Sequence, residues 1–293
     1  MEFKGNYVAI ITPFRNGEVD FQALEGLVEH MIRGGVSGLV PCGTTGESPT
    51  LSHKEHDLVI EEVIRFAAGR VPVIAGTGSN STAEAVRLTR HAEKAGASAA
   101  LVVSPYYNKP SQEGLKAHFR AIADASSLPI VLYQIPGRCS IELSLDTIAD
   151  LAEHPRIQAI KEATGNLGNV SDIRRRTDLE ILSGDDNLTL PILSLGGGGV
   201  VSVLSNLLPE QISALVQAGL EGRMGDALAI HEALYPLMRA MFLETNPLPI
   251  KTALSAQGFC AEEFRLPLLP MDPKNRNKLM RILEDTLTNL KGE

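Results

Sequence analysis

The sequence predicts an α/β protein, a (β/α)8 TIM barrel with a C-terminal helical extension. Three observations lead to this prediction: eight short apolar runs rich in β-branched residues, amphipathic helical patterns between them, and a wholly helical pattern after residue 207. Apolar strands that alternate with helices are typical of a parallel sheet covered on both faces. Eight such units within 293 residues fit one closed barrel.

Each predicted strand ends close to a glycine, proline, serine or threonine. In chain order the runs are VAIIT (8–12), GLVPCG (38–43), VPVIAG (71–76), AALVVSP (99–105), PIVLYQIP (129–136), IQAIKEA (157–163), LEILSG (179–184) and GVVSVL (199–204). Helical patterns such as FQALEGLVEHMIRGG lie between them and close with glycine, as a helix C-cap does. The run GGGG at 196–199 indicates close backbone packing before the last strand, because no Lys-Ser/Thr of a P-loop follows it.

A doubly wound open sheet is the alternative fold. It is disfavoured because no GxGxxG follows the first strand and eight regular repeats leave no obvious switch point. The helical pattern after residue 207 is longer than the two helices that complete a barrel. We therefore expect a catalytic barrel over residues 1–225 and a helical extension over residues 226–293.

Composition narrows the classes of function. The net charge of −8 argues against a nucleic-acid or anionic-membrane partner. Three scattered cysteines (Cys42, Cys139 and Cys260) are too few for a disulfide framework or a zinc site, which fits a reducing compartment. No signal peptide and no 18-residue apolar span is visible. We expect a cytoplasmic protein with no cofactor and no metal.

Polar residues cluster where five of the predicted strands end. The segments are GTTGES, SPYYNKP, YQIPGR, Lys161 with its neighbours, and SGDD. In a (β/α)8 barrel the carboxyl ends of the strands meet at one mouth, which carries the active site. These residues are distant in sequence, yet we expect them to converge there.

Lys161 directly follows the apolar residues of the sixth strand. Burial disfavours the charged form of an amine, and an uncharged amine attacks a carbonyl carbon to form a Schiff base. The alternative is a structural lysine inside the barrel, paired with Glu47 or Asp185. Position alone leaves both readings open, since ion pairs also occur at barrel mouths.

The neighbouring segments favour the nucleophile. Tyr133 ends the strand before Lys161, where its hydroxyl can shuttle protons during imine chemistry. Thr44 and Thr45 lie in a glycine-rich turn that can hold a carboxylate. Arg138 can bind a second carboxylate through two hydrogen bonds, although a surface arginine fits the spacing equally well.

Taken in order, GTTGES, PYYNKP, YQIPGR and IKEATGN resemble the dihydrodipicolinate synthase branch of the pyruvate-aldolase superfamily, which also contains N-acetylneuraminate lyase. The likeness runs from ITPF at 11–14 to NPLPIK at 246–251. It implies a lyase that condenses pyruvate with aspartate semialdehyde in lysine biosynthesis. Arg138 favours this branch over sialic-acid lyases, which have an apolar residue at the matching position.

The resemblance also implies residue roles. Lys161 would form the Schiff base, Tyr133 would shuttle protons through Thr44 to Tyr107, and Thr45 would hold the pyruvate carboxylate. Arg138 would bind the second substrate, while Gly184 and the Val201 carbonyl would line the pocket. The tyrosine matching Tyr107 reaches across a dimer interface in this family, which implies a homo-oligomer, usually a tetramer built as a dimer of dimers.

A regulatory site follows from the same resemblance. In family members inhibited by L-lysine, the effector lies at the tight-dimer interface. Six residues match those that hold it: Ser48, His53, His56, Asn80, Glu84 and Tyr106. The carboxylate of Glu84 suits an ammonium group. The resemblance therefore implies feedback inhibition by L-lysine.

Two departures from the family pattern bear on the second substrate. Gln134 stands where the family usually has asparagine, and Cys139-Ser140 stands where it has Thr-Gly. Loss of a glycine can alter the local backbone. Two other functions stay open: a pyruvate aldolase acting on a 2-keto-3-deoxy sugar acid or hydroxy-oxoglutarate, and a barrel that binds a small acid without catalysis.

Overall fold

Eight parallel strands form a barrel in the computed structural model, which describes residues 2–291. The strands are β1 (Gly5–Ala9), β2 (Gly38–Val40), β3 (Ile74–Gly76), β4 (Ala99–Val103), β5 (Ile130–Gln134), β6 (Ile157–Glu162), β7 (Glu180–Ser183) and β8 (Gly199–Ser202). Their order is β2-β1-β8-β7-β6-β5-β4-β3, and a parallel bridge between Leu39 and Val73 joins the two ends. The predicted fold class is confirmed.

Helices cover the outside of the barrel. They are α1 (Phe21–Arg33), α2 (His53–Ala67), α3 (Thr82–Ala95), α4 (Gln112–Asp124), α5 (Pro136–Cys139), α6 (Leu145–Ala152), α7 (Leu167–Arg176), α8 (Thr189–Ser194), α9 (Pro209–Leu220), α10 (Met224–Ala240), α11 (Leu248–Ala256) and α12 (Pro273–Lys291). The local sequence determines where α2 begins, because Ser52 and Glu55 form a capping box at its N-terminus. No helix in residues 2–291 is both long and apolar enough to cross a membrane.

The first strand lies three residues earlier than the run VAIIT predicts, at 5–9 instead of 8–12. Pairing with β8 fixes this position, because Gly5 is the register partner of Gly199. A Cβ atom on Gly199 would lie 2.0 Å from the Gly5 carbonyl oxygen, so the two backbones approach as closely as glycine allows. The close packing predicted for GGGG is confirmed. Ile10 and Ile11 are buried in the core outside the strand.

Alternation along the strands places side chains in two separate cores. Residues that point outward pack under the helices, and residues that point inward fill the barrel. In β6, Ile160 belongs to the outer core and Ala159 to the inner one. Lys161 lies two residues beyond Ala159, so the strand period turns its side chain towards the barrel interior, where it is 6% exposed.

The helical extension is anchored to the barrel by a buried ion pair. The Lys251 ammonium of α11 contacts the Glu47 carboxylate of the GTTGES turn, and both side chains are 0% exposed. The Lys251 ammonium also donates to the Glu263 carbonyl at 3.1 Å and lies 4.3 Å from the centroid of the Phe14 ring. We propose that the barrel ends at residue 225 and the extension begins at residue 226; α10 begins close to this boundary, at Met224.

Candidate active site

Lys161 lies between Tyr133 on β5 and Leu182 on β7, which are its register partners. Its Nζ is 4.2 Å from the centroid of the Tyr133 ring. The ion pair between Lys161 and Glu47 that the sequence allowed is wrong, because the Glu47 carboxylate pairs with Lys251. Burial raises the pKa of the Asp185 carboxyl, and the nearby charge of Lys161 opposes this shift. The structure therefore keeps Lys161 inside the barrel beside the aromatic ring of Tyr133.

The GTTGES turn follows β2 and is held by one backbone hydrogen bond of its own and by the Thr12 hydroxyl. The Glu47 N–H donates to the Thr44 carbonyl at 3.1 Å, and the Thr12 hydroxyl donates to the Gly46 carbonyl at 2.7 Å. Thr45 is 2% exposed, and its Oγ1 accepts a hydrogen bond of 2.9 Å from the Asn246 amide. Thr44 is half-buried. A rigid turn with two hydroxyls is suited to binding an anion.

A cavity of about 450 Å³ opens at this mouth of the barrel. Three residues predicted to act in catalysis or substrate binding line it: Thr44, Tyr133 and Arg138. Five residues predicted to hold L-lysine line the same cavity: Ser48, His53, His56, Glu84 and Tyr106. The carbonyl of Asn80, the sixth, accepts a hydrogen bond of 2.9 Å from Asn108. Lys161 and Thr45 are not among the lining residues, so in a single chain the cavity joins the effector residues to Thr44, Tyr133 and Arg138 only.

Gly184 directly follows β7, the strand next to β6, and Val201 lies on β8, one strand further round the barrel. The Gly184 N–H donates to the Glu162 carbonyl at 2.7 Å, and a Cβ atom at this glycine would lie 2.5 Å from the Ala163 Cβ. Val201 is 1% exposed and belongs to the inner core with Tyr133. Their roles in lining a substrate pocket remain predictions.

Arg138 lies in α5, directly after the strand that carries Tyr133. Its guanidinium is exposed and donates to the Asn246 carbonyl at 3.2 Å and to the Thr245 hydroxyl at 3.3 Å. Both acceptors belong to the helical extension. These bonds hold the arginine at the rim of the cavity, where its remaining N–H groups can meet an anion.

The first departure from the family pattern, Gln134, follows Tyr133 on β5, so the two side chains point to opposite faces of the strand. The Gln134 side chain donates to Glu162 at 3.3 Å and accepts from the Leu143 N–H at 2.8 Å.

The second departure is Cys139-Ser140. Ser140 has a φ of 55° and adopts the left-handed conformation that glycine favours, so the backbone still turns after Arg138. Cys139 is buried and donates to the Ser104 carbonyl at 3.2 Å. Burial raises the pKa of the Cys139 thiol to about 11.

Tyr107 is not brought to Tyr133 within one chain. It is 90% exposed and has a φ of 75°, whereas Tyr106 lines the cavity. A tyrosine held so far out of its own molecule is uncommon, because aromatic rings normally bury most of their surface. The predicted link from Tyr133 to Tyr107 therefore needs a second chain.

Two of the predicted effector residues, His53 and Glu84, are hydrogen-bonded to each other. His53 Nε2 lies 2.6 Å from Glu84 Oε1, and the Ser79 hydroxyl donates to the other oxygen of Glu84. The bond from Ser79, followed by that from His53, lowers the pKa of the Glu84 carboxyl. Burial lowers the pKa of His56 to about 4, so this ring is neutral near pH 7. The group presents a carboxylate to the cavity.

Comparison with known proteins decides the family. The model of the dihydrodipicolinate synthetase family matches residues 2–286. The chain belongs to this family. The 4-hydroxy-tetrahydrodipicolinate synthase of Syntrophus aciditrophicus (strain SB) is 52% identical over 285 residues, which cover 97% of this chain and 98% of that protein. The predicted family and enzyme class, a lyase, are confirmed.

Solved structures of the family share the whole fold. The 4-hydroxy-tetrahydrodipicolinate synthase of Methylacidiphilum fumariolicum SolV is 51% identical, with a TM-score of 0.98 over 99% of this chain and 98% of that one. The enzyme of Acinetobacter baumannii, in complex with pyruvate, is 42% identical, with a TM-score of 0.95 over 97% and 99%. The enzyme of Cyanidioschyzon merolae, with lysine bound, is 42% identical, with a TM-score of 0.94 over 97% and 98%.

Sequence reasoning missed the residues through which the helical extension meets the site. Asn246 contacts both Thr45 and Arg138, and Lys251 contacts Glu47. Both extension residues lie in NPLPIK, the last motif shared with the family. That motif was a signal for them, but nothing in its spacing indicates which barrel residues it reaches.

Proposed function

We propose that this chain condenses pyruvate, bound as a Schiff base on Lys161, with L-aspartate 4-semialdehyde to give 4-hydroxy-tetrahydrodipicolinate. This is the carbon–carbon bond-forming step of the diaminopimelate route to lysine. The observation that carries the proposal is the Lys161 amine, 6% exposed inside the barrel with its Nζ 4.2 Å from the Tyr133 ring centroid. The name of the relative that is 52% identical supports the same reaction.

The first half of the reaction makes the imine. The uncharged Lys161 amine attacks the keto carbon of pyruvate, and the carbinolamine loses water to give a protonated imine. The hydroxyl of Tyr133 supplies and recovers the protons of these steps. The face of its ring also favours the cationic imine, since aromatic faces attract cations.

The second half uses the enamine. Loss of a methyl proton from the imine gives a carbon nucleophile, which attacks the aldehyde carbon of aspartate semialdehyde. The amino group of the second substrate then displaces Lys161 from the imine carbon and closes the ring. One water is released over the whole cycle, and the lysine is regenerated.

Two anion-binding groups orient the substrates. We assign the pyruvate carboxylate to Thr45 and the GTTGES turn, and the carboxylate of aspartate semialdehyde to Arg138. The 2% exposure of Thr45 supports the first assignment, because a hydrogen bond to an ion is stronger in a site shielded from water. The place of Arg138 on the rim of the cavity supports the second.

The active enzyme is proposed to be an oligomer in which Tyr107 of a partner chain completes the proton relay through Thr44 to Tyr133. The 90% exposure of Tyr107 supports this role. We further propose that L-lysine binds near Glu84, His53 and His56; the relative with lysine bound supports L-lysine as a ligand. A cytoplasmic location belongs to the same proposal, since all three cysteines are free thiols.

Borohydride reduction in the presence of pyruvate tests the function. Intact mass should rise by one reduced pyruvate adduct, peptide mapping should place it on Lys161, and Lys161→Ala should abolish it. Lys278→Ala, at an exposed lysine on α12, is the matched control and should label fully. Coupled assays then compare aspartate semialdehyde with sugar-acid substrates. Labelling with activity only on sugar acids would support the aldolase alternative, and no labelling would support the non-catalytic one.

A further inference from the structure

Asn246 joins the helical extension to both predicted anion-binding side chains. It lies between α10 and α11 and is 7% exposed. Its side-chain amide donates to Thr45 Oγ1 at 2.9 Å, and its backbone carbonyl accepts from the Arg138 guanidinium at 3.2 Å. Thr45 lies in the turn after β2, and Arg138 lies in α5 after β5. A single residue from outside the barrel therefore contacts the proposed partners of both substrate carboxylates.

The direction of the bond to Thr45 has a chemical consequence. A threonine hydroxyl has one hydrogen to donate and lone pairs with which to accept. Because Thr45 Oγ1 accepts from the Asn246 amide, its own hydrogen is left for another acceptor. A carboxylate is the strongest acceptor that a substrate can offer, and a donor aligned in advance costs no reorganisation when the anion binds.

The other end of the same side chain is a second, independent observation. Asn246 Oδ1 is buried and accepts no hydrogen bond from any residue in the range 2–291. An asparagine retained only to fill space or bridge two elements is expected to pair both of its ends. Here the amide satisfies Thr45 and leaves its own oxygen unpaired, which points to a role in orienting that hydroxyl.

We propose that Asn246 is a positioning residue for keto-acid binding: its amide directs the Thr45 hydroxyl towards the pyruvate carboxylate, while its backbone holds Arg138 at the rim. This inference rests on the proposed function, because it takes pyruvate as the ligand of Thr45. It assigns to the helical extension a direct part in substrate selection by the barrel.

A double-mutant cycle tests the proposal on the full-length protein. Asn246→Ala is expected to raise the half-saturating pyruvate concentration for borohydride trapping, and the KM for pyruvate, roughly ten-fold, with a much smaller change in kcat. Asn246→Leu, which keeps the volume, should give the same shift if the alanine variant folds poorly. In a Thr45→Val background, where no hydroxyl remains to be directed, Asn246→Ala should add little further loss.

Thr252→Val controls for general damage to the extension. Thr252 is buried in α11, and its hydroxyl bonds to Glu262 and not to Thr45, so pyruvate half-saturation should stay within about two-fold of wild type. The proposal is overturned if both Asn246 variants bind pyruvate as the wild type does, or if the full loss persists without the Thr45 hydroxyl. Failure of the wild type to form an adduct would instead remove the proposed function itself.

Discussion

Tyr133 and Lys161 are register partners on adjacent strands of the barrel, and the Lys161 Nζ lies 4.2 Å from the Tyr133 ring centroid. An irregularity in the pairing produces this match. Ile130 pairs with Ile157, but the next residue on β5, Val131, pairs with Ala159, so Gln158 is an extra residue on β6. If Gln158 paired with Val131 instead, Tyr133 would pair with Ile160, which points to the outer core, and the amine would lose its aromatic neighbour.

Removal of the Tyr133 hydroxyl tests its proposed role in proton transfer. We expect Tyr133→Phe to lower kcat by about 10²- to 10⁴-fold, because loss of a general acid–base group has that range of effect. The pyruvate adduct on Lys161 should still form, more slowly, since the amine remains. Tyr235→Phe, at an exposed tyrosine on α10, is the control. A Tyr133→Phe enzyme with wild-type kcat would contradict the role.

Charge neutralisation at Glu84 tests the proposed effector site. Its carboxylate is held by His53 and Ser79, and it lines the cavity. We expect Glu84→Gln to raise the L-lysine concentration for half-inhibition roughly ten-fold or more, because the effector ammonium loses a charged partner. Inhibition assays and calorimetric titration with L-lysine measure this. The control Glu153→Gln, at an exposed carboxylate, should bind L-lysine as the wild type does. If Glu84→Gln also bound L-lysine as the wild type does, the effector site would not include Glu84.

Removal of one partner of the buried ion pair should destabilise the fold. We expect Lys251→Met to lower the free energy of unfolding by about 3–5 kcal/mol, because the Glu47 carboxylate would stay buried without its partner. The double variant Glu47→Gln/Lys251→Met should recover much of that loss.

Urea unfolding at one fixed protein concentration measures these changes, since oligomer stability depends on concentration. Lys278→Met, at an exposed lysine on α12, should stay within about 0.5 kcal/mol of the wild type. A single variant as stable as the wild type would mean that the pair does not anchor the extension.

Glu55 should contribute a pH-dependent part of the stability. Its hydrogen bond to Arg265 lowers the pKa of the carboxyl from 4.5 to about 2. Because the folded value lies below the unfolded one, the contribution is complete above pH 4.5 and is lost as the pH falls towards 2. Thermal unfolding of wild type and Glu55→Gln should therefore differ at pH 6 and converge near pH 2. Glu284→Gln, at an exposed carboxylate, should show no such convergence.

The sequence predicted the fold because the repeated strand and helix pattern has few alternatives. It also placed Lys161, Tyr133 and the GTTGES turn at strand ends, which a barrel brings to one mouth. It misplaced β1, because burial of Ile10 and Ile11 outside the strand has the same apolar pattern as burial within it. It also allowed a Lys161–Glu47 pair that the structure replaces with Lys251–Glu47.

The linear pattern of apolar and polar residues determined the barrel, the inward face of β6 and the residue types available for imine chemistry, because strand period and connection order are local properties. Only the tertiary structure decided which side chains meet. The extra residue Gln158 on β6 aligns Tyr133 with Lys161. A segment some 200 positions further along the chain brings Asn246 and Lys251 into contact with the GTTGES turn. Such contacts depend on packing between distant elements, which sequence spacing does not record.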